Sequence, residues 1–363
     1  MAVDEFNGRM RAGGSPWGFY TDAVPDWIPR AAGARAWREY HIAVDDEGFV
    51  RGGYALKPQE WHINGTTRLV TDWQGPFTEG AVNARYATLG LRMIRDMLKK
   101  YPLLYSLGHG GHDTPVVKLL QSLGWTLHEM PICLKVHDAS AFLRRNAYLR
   151  NTTARARLLD LLALTGLGPL AIRLLQAAVR WWHRPGGASC QASVVAEFGA
   201  WADSVWDNAR SRYACLAARD SAMLNRLLPQ EGWPGGTRLQ VNRGGETIGW
   251  AVVHIKRMSN DPRFGDLNVG MISDCFATPE DAAGVIQAAD DHLSRQGVEI
   301  VVSNQSHPDW VAGFRASGYL VLEGRRLFAI SPELKDALEP FPETVRGLHL
   351  TNMDGHGPHG FTA

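Results

Sequence analysis

Cysteine is scarce in this chain, and the cysteines that it has lie far apart. Cys133, Cys190, Cys215 and Cys275 contain no Cys-x-x-Cys pair within 363 residues. Zinc ribbons need closely spaced pairs, and disulfide frameworks need a much higher cysteine density, so neither class of protein is predicted. No metal ion is expected either, because no third ligand accompanies the histidines discussed below.

The chain also lacks an excess of charge and an apolar leader. Its 38 basic and 37 acidic residues leave a formal net charge of +1, which gives no global argument for DNA as a partner. Residues 1–14 are acidic early and contain no apolar run, so no signal peptide is predicted and a reducing cytoplasm is the expected location. A content of 45% apolar and 21% charged residues is typical of a soluble globular protein.

What the chain does have is a similarity to itself. Shifting the sequence against itself without a gap superimposes residues of the same type: Gly90 on Gly284, Asp96 on Asp290, and Gly124-Trp125 on Gly318-Tyr319. We therefore expect two copies of one α/β unit, and a functional site built by duplication.

Each copy has the same predicted order of elements: two strands joined by a tight turn, a third strand, a helix, a short apolar strand, a second helix that ends at a glycine, and a last strand. In the first copy a turn at 45–48 is followed by a strand at 68–73, a helix at 87–100, a strand at 103–107, a helix at 116–123 and a strand at 125–136. In the second copy the elements fall at 238–242, 247–253, 268–275, 279–296, 298–302, 310–317 and 327–330, and this last strand closes the copy.

The end of each copy carries a resemblance to a known family. After the fifth strand come a polar residue, a helix, and a glycine with an aromatic, as in Asp113…Leu120…Gly124-Trp125 and His307…Phe314…Gly318-Tyr319. With the order of elements, this pattern resembles the GNAT acyltransferase superfamily in tandem. It is also similar to the Fem-type aminoacyltransferases and to two-copy acyltransferases linked to polysaccharide assembly. The tyrosine acid that the family often places four residues before the glycine is replaced by Leu120 and Phe314.

The predicted fold class is therefore α/β, with two GNAT-like mixed-sheet domains related by internal duplication and joined by a helical connector. The domains are predicted at 1–140 and 198–332, the connector at 141–197 and a C-terminal tail at 333–363.

The resemblance implies acyl-CoA as co-substrate, held by a glycine-rich turn whose N–H groups bind the pyrophosphate at a helix N-terminus. In the first copy the candidate cofactor-binding residues are Gly75, Gly80, Asn83 and Arg85. The second copy has Ala277-Thr278-Pro279-Glu280-Asp281 there, with a proline that removes a donor and two acids that repel phosphate. Acyl-CoA binding is thus expected in the first copy.

Candidate catalytic residues also lie in the first copy. Asp72, near the end of the central strand, is a candidate base for an attacking amine, and so is His109 in a loop with Asp113 as its orienting partner. Candidate substrate-binding residues are His112, Asp274, Asn304 and His307. For each of these the plainer alternative stays open: an aspartate bound to a loop backbone, a solvated loop, or a helix cap.

The connector carries a separate signal. Residues 141–184 contain eight arginines and one aspartate, with no lysine or glutamate. The leucine-rich part predicts a helical hairpin, apolar on one face and basic on the other. Only 12 residues separate Asp160 from Arg173, too few to span a bilayer. Three interpretations stay open: a clamp between the domains, a peripheral membrane contact, or an RNA contact.

The function expected from these observations is transfer of an acyl group from acyl-CoA to an amine, on an amino sugar or a glycan or lipid precursor. The alternatives are Fem-like aminoacyl transfer, with tRNA as the partner, and a binding module whose copies are both inactive.

Overall fold

The computed structural model describes residues 2–19, 28–108, 111–183, 189–229 and 236–355. The contacts divide the chain into two compact units. Unit 1 comprises Met1–His128 with Leu327–Thr344, and unit 2 comprises Glu129–Arg326 with Val345–Ala363. Both units are mixed α/β.

The elements of the first part of the chain are α1 (Ala2–Ala12), β1 (Glu39–Val44), β2 (Val50–Ile63), β3 (Thr66–Thr78), α2 (Leu89–Lys100), β4 (Leu104–Gly108), α3 (Pro115–Ser122), β5 (Thr126–Val136), α4 (Ala139–Arg145), α5 (Thr153–Leu164) and α6 (Leu167–His183). Those of the remainder are β6 (Cys190–Val195), α7 (Ala200–Ala209), β7 (Cys215–Ala217), α8 (Ser221–Leu227), β8 (Gly236–Arg243), β9 (Glu246–Arg257), β10 (Asn268–Ala277), α9 (Ala282–Arg295), β11 (Ile300–Asn304), α10 (Pro308–Ala316), β12 (Leu320–Ile330), α11 (Pro332–Ala337), α12 (Phe341–Arg346) and β13 (Leu348–His349).

The order of elements predicted for each copy is present. The β2–β3 turn is formed by Asn64 and Gly65, both at positive φ, which suits a tight hairpin. Helices α3 and α10 each begin with a proline in the first turn and end before a glycine at positive φ, Gly124 at 82° and Gly318 at 84°. The amide of the aromatic that follows bonds back into the helix, from Trp125 to Leu120 at 3.1 Å and from Tyr319 to Phe314 at 3.0 Å.

Strand pairing follows the same pattern in both units. In unit 1, β2 pairs antiparallel with β3, which pairs parallel with β4. In unit 2, β8 and β9 pair antiparallel, β9 continues antiparallel to β10, and β10 pairs parallel with β11. The pattern agrees with two copies of one unit, and their origin by duplication stays a prediction.

The last strands correct one expectation. Leu327–Ile330 of β12 does not close the second copy but pairs antiparallel with β4 in unit 1. Conversely, residues 132–136 of β5 pair antiparallel with β11 in unit 2. The edges of β4 and β11 are alike in pattern and each accepts an antiparallel strand, so the sequence pattern alone does not specify which last strand pairs with which edge.

The connector predicted as a hairpin consists of two helices, α5 and α6, whose axes bend by 80°. The segment predicted as a tail from 333 contains α11, α12 and β13, and residues 348–355 are buried. The division at 1–140, 141–197, 198–332 and 333–363 stays a prediction about the sequence repeat.

The cores are built on large aromatic side chains, which contribute much of the apolar area that each unit buries. The largest fully buried aromatics are Trp61, Trp73, Tyr105, Phe6, Phe198, Trp250, Phe276, Trp310, Phe314 and Tyr319.

Candidate active site

Both units contain a pair of parallel strands that run together and then diverge. In unit 1 the β3–β4 pairing ends at Asp72, opposite Tyr105, and in unit 2 the β10–β11 pairing ends at Ile272, opposite Ser303. The β9–β10 register shifts at the same place, between Ile272 and Asp274. A bulge bends its strand and so opens a gap beside its neighbour.

A serine fixes the divergence in the same way in both units. Ser106 on β4 donates its hydroxyl to the carbonyl oxygen of Trp73 at 2.6 Å, and Ser303 on β11 donates to that of Ile272 at 2.8 Å. With the serines as reference, Asp72 lies one residue before the bonded position and Asp274 two residues after it. Asp72 and Asp274 therefore hold different positions relative to the divergence of the strands.

Asp72 lies in a buried polar cluster on one face of β2 and β3. Its Oδ2 accepts a hydrogen bond from Gln74 Nε2 at 2.5 Å, and its cross-strand partner is Lys57, which is only 1% exposed. Directly opposite residues of an antiparallel pair share a face, with Cβ atoms about 4.5–5.5 Å apart. Gln59, two residues from Lys57, is buried on that face as well. The predicted base thus has a buried lysine as its cross-strand partner, which the sequence pattern did not indicate.

Asp274 lies in a fully buried network in unit 2. Arg219 Nε donates to Asp274 Oδ1 at 3.1 Å, and Arg219 Nη2 donates to Asp354 Oδ2 at 2.7 Å. Trp250 Nε1 and Thr351 Oγ1 also donate to the Asp274 carboxylate, at 3.2 and 2.8 Å. Complete burial raises the pKa of Asp274, and the charge of Arg219 opposes that rise. Asp274 thus joins Arg219, Trp250 and Thr351 in one network, and its contact with substrate stays a prediction.

The C-terminal segment, residues 348–355, lies against both diverging strands of unit 2. On the β11 side, Ser306 Oγ donates to the Leu348 carbonyl oxygen at 2.6 Å and accepts from the Leu350 amide at 2.8 Å. On the β10 side, Asn352 Nδ2 donates to Met271 Sδ at 3.2 Å, beside the bond from Thr351 to Asp274. The chain itself therefore fills the gap between β10 and β11.

Two histidines of this region are neutral for a physical reason. His349 is completely buried, which lowers its pKa well below 6.5, and the nearby charge of Arg219 lowers it further. Burial likewise lowers the pKa of His307. His307 is the N-cap of α10, where its Nδ1 accepts from the Asp309 amide at 3.3 Å. The helix-cap alternative for His307 therefore describes what the side chain does in the structure.

Three of the candidate cofactor residues of unit 1, Gly80, Asn83 and Arg85, lie in one loop between β3 and α2, and Gly75 lies within β3. Gly80 donates its amide to Thr78 Oγ1 at 3.1 Å, and Asn83 Oδ1 accepts from the Arg85 amide at 3.1 Å. A Cβ on Gly80 would collide with the Tyr86 carbonyl oxygen, so the loop needs glycine there. Gly75 has a φ of 53° and lies at the register shift between β2 and β3. The Arg85 guanidinium is exposed and lies over the Tyr86 ring, 5.6 Å from its centroid.

A buried carboxylate organises this loop, although no pattern in the sequence indicated it. Glu79 accepts from Arg51 Nη1 at 2.9 Å, from Arg9 Nε at 3.0 Å and from Asn83 Nδ2 at 3.3 Å. Burial raises the pKa of Glu79, but the hydrogen bonds from Arg51, Arg9 and Asn83 outweigh it and leave the pKa below its ordinary value. These hydrogen bonds fix the conformation of the loop, and Thr88, the N-cap residue of α2, makes no side-chain capping bond.

The matching loop of unit 2 presents acids at the start of α9. Glu280 pairs with Arg212, and Asp281 pairs with Arg243 at 2.5 Å. These carboxylates complement the positive end of the helix dipole, the place where a phosphate would otherwise bind. The acidic turn that the sequence indicated is thus present in the structure.

The remaining candidate site residues are His109, His112, Asp113 and Asn304. His109 lies outside the described residues, whereas His112 and Asp113 are exposed in the loop between β4 and α3. Asn304, at the end of β11, donates its Nδ2 to the Pro131 carbonyl oxygen at 3.3 Å. Within the described residues, no group of three or more His, Cys, Asp or Glu side chains is arranged to hold a metal ion.

The backbone is similar to several solved structures at low sequence identity. Two crystal structures of Saccharomyces cerevisiae N-myristoyltransferase with bound myristoyl-CoA match this chain with 8% sequence identity. The first match covers 84% of this chain and 71% of that chain, with a TM-score of 0.48. The second structure also contains inhibitors, and the match covers 79% of this chain and 65% of that chain, with a TM-score of 0.46. A protein of unknown function from Enterococcus faecalis, described as a probable N-acyltransferase, matches over 81% of this chain and 62% of its own, with 10% identity and a TM-score of 0.45. In the last two cases this chain spans less than two thirds of the other protein. No protein-family model and no curated protein sequence matches this chain.

Proposed function

We propose that this chain is an N-acyltransferase that moves an acyl group from an acyl-CoA thioester to an amine, and that unit 1 carries the reaction. The observation that carries this proposal is a contrast between two strands. Beyond the divergence, residues 75–78 of β3 are partly exposed, whereas residues 274–277 of β10 are all buried. Among the described residues, the strand beyond the divergence is thus partly exposed in unit 1 and buried in unit 2.

The donor groups of unit 1 also suit a phosphate-bearing co-substrate better than those of unit 2. Helix α2 begins without a side-chain cap and has the exposed Arg85 just before it, whereas α9 begins beside Glu280 and Asp281. The N–H groups and dipole of a helix N-terminus attract phosphate, and acids at the same place repel it. Arg85 and the first turn of α2 would hold the pyrophosphate of acyl-CoA.

In the proposed reaction the amine nitrogen attacks the thioester carbonyl carbon, a C–N bond forms, and the C–S bond breaks as CoA thiolate leaves. The proton lost by the amine goes to Asp72, directly or through water, or to His109, and the thiolate takes a proton from solvent. N–H groups of the diverging β3 backbone would stabilise the negative charge on the carbonyl oxygen. Lys57 gives Asp72 a cationic neighbour in the buried cluster. The acceptor that we propose is an amino sugar or a glycan or lipid precursor.

Binding and chemistry are tested separately. A short-chain and a long-chain acyl-CoA are titrated against the protein, with the melting temperature and calorimetric Kd as readouts. Arg85→Glu is expected to weaken binding about tenfold or more, because it reverses a charge beside the phosphates. Arg95→Glu, equally exposed on α2 but further along the helix, is the matched control and should bind as the parent does.

Asp72→Asn is expected to bind acyl-CoA normally while its release of CoA in the presence of an amine falls by about 10²–10⁴. Failure of every CoA thioester to shift the melting temperature would reject the proposal. A shift with aminoacyl-tRNA instead would favour the Fem-like alternative, and no response to either donor would favour a binding module.

A further inference from the structure

The α5–α6 pair exposes many large apolar side chains. Nine of its large side chains are more than half exposed to solvent. They are Leu158, Leu161, Leu164, Leu167, Leu170, Leu174, Leu175, Trp181 and Trp182. Isolated exposed leucines are ordinary on protein surfaces, but a concentration of large apolar side chains on two consecutive helices is typical of a surface with a binding partner.

Helix α6 carries apolar side chains on its solvent-facing side as well as on its protein-facing side. Its protein-facing side carries Gly168, Pro169, Ile172 and Gln176, and Gln176 bonds the amide and carbonyl of Val136 at 2.8 and 3.0 Å. Its solvent-facing side carries the leucines and both tryptophans. A helix normally turns its apolar stripe toward the core, so the outward stripe of leucines on α6 is unusual for a surface helix.

The charges around the stripe identify the partner. Arg173 and Arg180 are exposed, lie seven residues apart and therefore flank the stripe of α6 on the same side, and Arg155 and Arg157 are exposed on α5. In the described chain, neither Arg173 nor Arg180 forms an ion pair with a carboxylate. The one acid of this region, Asp160, already pairs with Arg150 at 2.6 Å. An apolar stripe edged by uncompensated arginines is complementary to a lipid surface with anionic headgroups.

The lengths indicate a helix pair that lies on the bilayer. In the described residues no single helix has the length and composition of a membrane span, and α5 and α6 meet that test only when taken together across their 80° bend. Helix α6 has 17 residues, about 25 Å at 1.5 Å per residue, which is short of a hydrocarbon core of about 30 Å. Arg173 near its middle also fits a helix in the interface, with Trp181 and Trp182 at headgroup level.

We propose that the α5–α6 pair docks this protein on the surface of an anionic membrane, with the leucine and tryptophan stripe in the headgroup layer and the arginines on the lipid phosphates. A second copy of the chain fits the stripe less well, because face-to-face packing would bring arginines of like charge together. A nucleic acid backbone matches the arginines but not the apolar stripe.

The test is cosedimentation of the full chain with vesicles of phosphatidylcholine alone or with 30% phosphatidylglycerol. Binding is expected only with phosphatidylglycerol and is expected to weaken with salt. Replacing Trp181 and Trp182 together by serine is expected to lower the partition coefficient at least about tenfold, because both rings leave the interface. Arg173→Gln with Arg180→Gln is expected to lower it roughly 30-fold, about fivefold for each charge.

Matched controls come from exposed residues elsewhere. Val194→Ser removes an apolar side chain that is 62% exposed, and Arg95→Gln with Lys99→Gln removes two exposed charges of α2. Both should bind vesicles as the parent does. Circular dichroism and melting temperature of every variant should match the parent, since all the changed side chains lie outside the core.

The proposal is overturned if the parent does not bind anionic vesicles, or if the tryptophan and arginine variants bind them as well as the controls do. It is also overturned if sedimentation velocity shows a dimer that the tryptophan change dissociates, or if the arginines bind RNA and not vesicles. Quenching of Trp181 and Trp182 fluorescence by brominated lipid, lost in the serine variant, would support it independently of affinity.

Discussion

Thr351 donates its hydroxyl to Asp274 Oδ1 at 2.8 Å and so ties the C-terminal segment to the end of β10. The bond places a residue of the C-terminal segment at the point where the strands of unit 2 part. The corresponding strand of unit 1 is partly exposed beyond its divergence. The two units thus share one arrangement of strands. They differ at the gap between the diverging strands, which the C-terminal segment fills in unit 2.

The ion-pair network beneath this bond should be costly to break. Arg219→Met leaves two buried carboxylates, Asp274 and Asp354, without their cation, and we expect a loss of about 3–5 kcal/mol in the free energy of unfolding. Arg210→Met is the control, because its partner Asp207 is exposed and the pair is expected to contribute about 0–1 kcal/mol. Urea denaturation measures both. Equal effects of the two changes would show that the buried network contributes little.

Stability should fall in mild acid because of His349. Its pKa is well below 6.5 in the fold because the side chain is buried, so the unfolded chain binds the proton more readily. The stabilisation is complete above the unfolded value near 6.5 and is lost as the pH falls below it, at about 1.4 kcal/mol per pH unit for one group. His349→Gln should flatten the dependence of unfolding free energy on pH between 6.5 and 5. An unchanged slope would mean that His349 is not the group responsible for the dependence of the unfolding free energy on pH.

A second, more acidic transition is expected from Glu39 in unit 1. Burial raises its pKa, but hydrogen bonds from Lys100, Tyr101, Trp37 and His41 outweigh burial and lower the pKa from 4.5 to about 2. This depressed value contributes stability that is present above 4.5 and is lost as the pH falls toward 2. Glu39→Gln should be less stable than the parent at neutral pH, and the two should converge in acid. Parallel curves over that range would contradict the assignment.

The helix-ending glycines of the two units should respond alike to substitution. Gly124→Ala and Gly318→Ala place a Cβ on residues at positive φ, which costs roughly 1–2 kcal/mol each. Gly90→Ala in α2 is the control, because its nearest neighbour would be Thr78 Cγ2 at 3.6 Å and its φ needs no glycine. We expect that change to leave stability unchanged or to raise it. Similar losses in the free energy of unfolding at both glycines would show that the repeated turn contributes equally to stability in each unit.

The sequence alone predicted the local structure well. Glycines predicted where α3 and α10 end, and hydrophobic periodicity predicted α2 within two residues of its start, because these signals act over a few residues. The acids before α9 and the leucines of α5 and α6 were also visible as composition. The roles of Asp72, Gly75, Gly80, Asn83, Arg85, His109, His112, Asp113, Asn304 and His307 in binding or catalysis stay predictions.

Only the tertiary structure decided which distant residues meet. Lys57 and Asp72 face each other through strand register, Glu79 gathers Arg9 and Arg51, and Arg219 joins Asp274 to Asp354. No pattern in the sequence gives these pairings, because each depends on which strand edge is available once the chain has folded. The sequence by itself thus determined the repeated order of elements and the basic, leucine-rich connector. The fold decided that the last strand of each copy pairs outside its own copy, that the C-terminal segment fills the gap of unit 2, and that the leucines of α6 face solvent, since burial is shared among all segments competing for the same core.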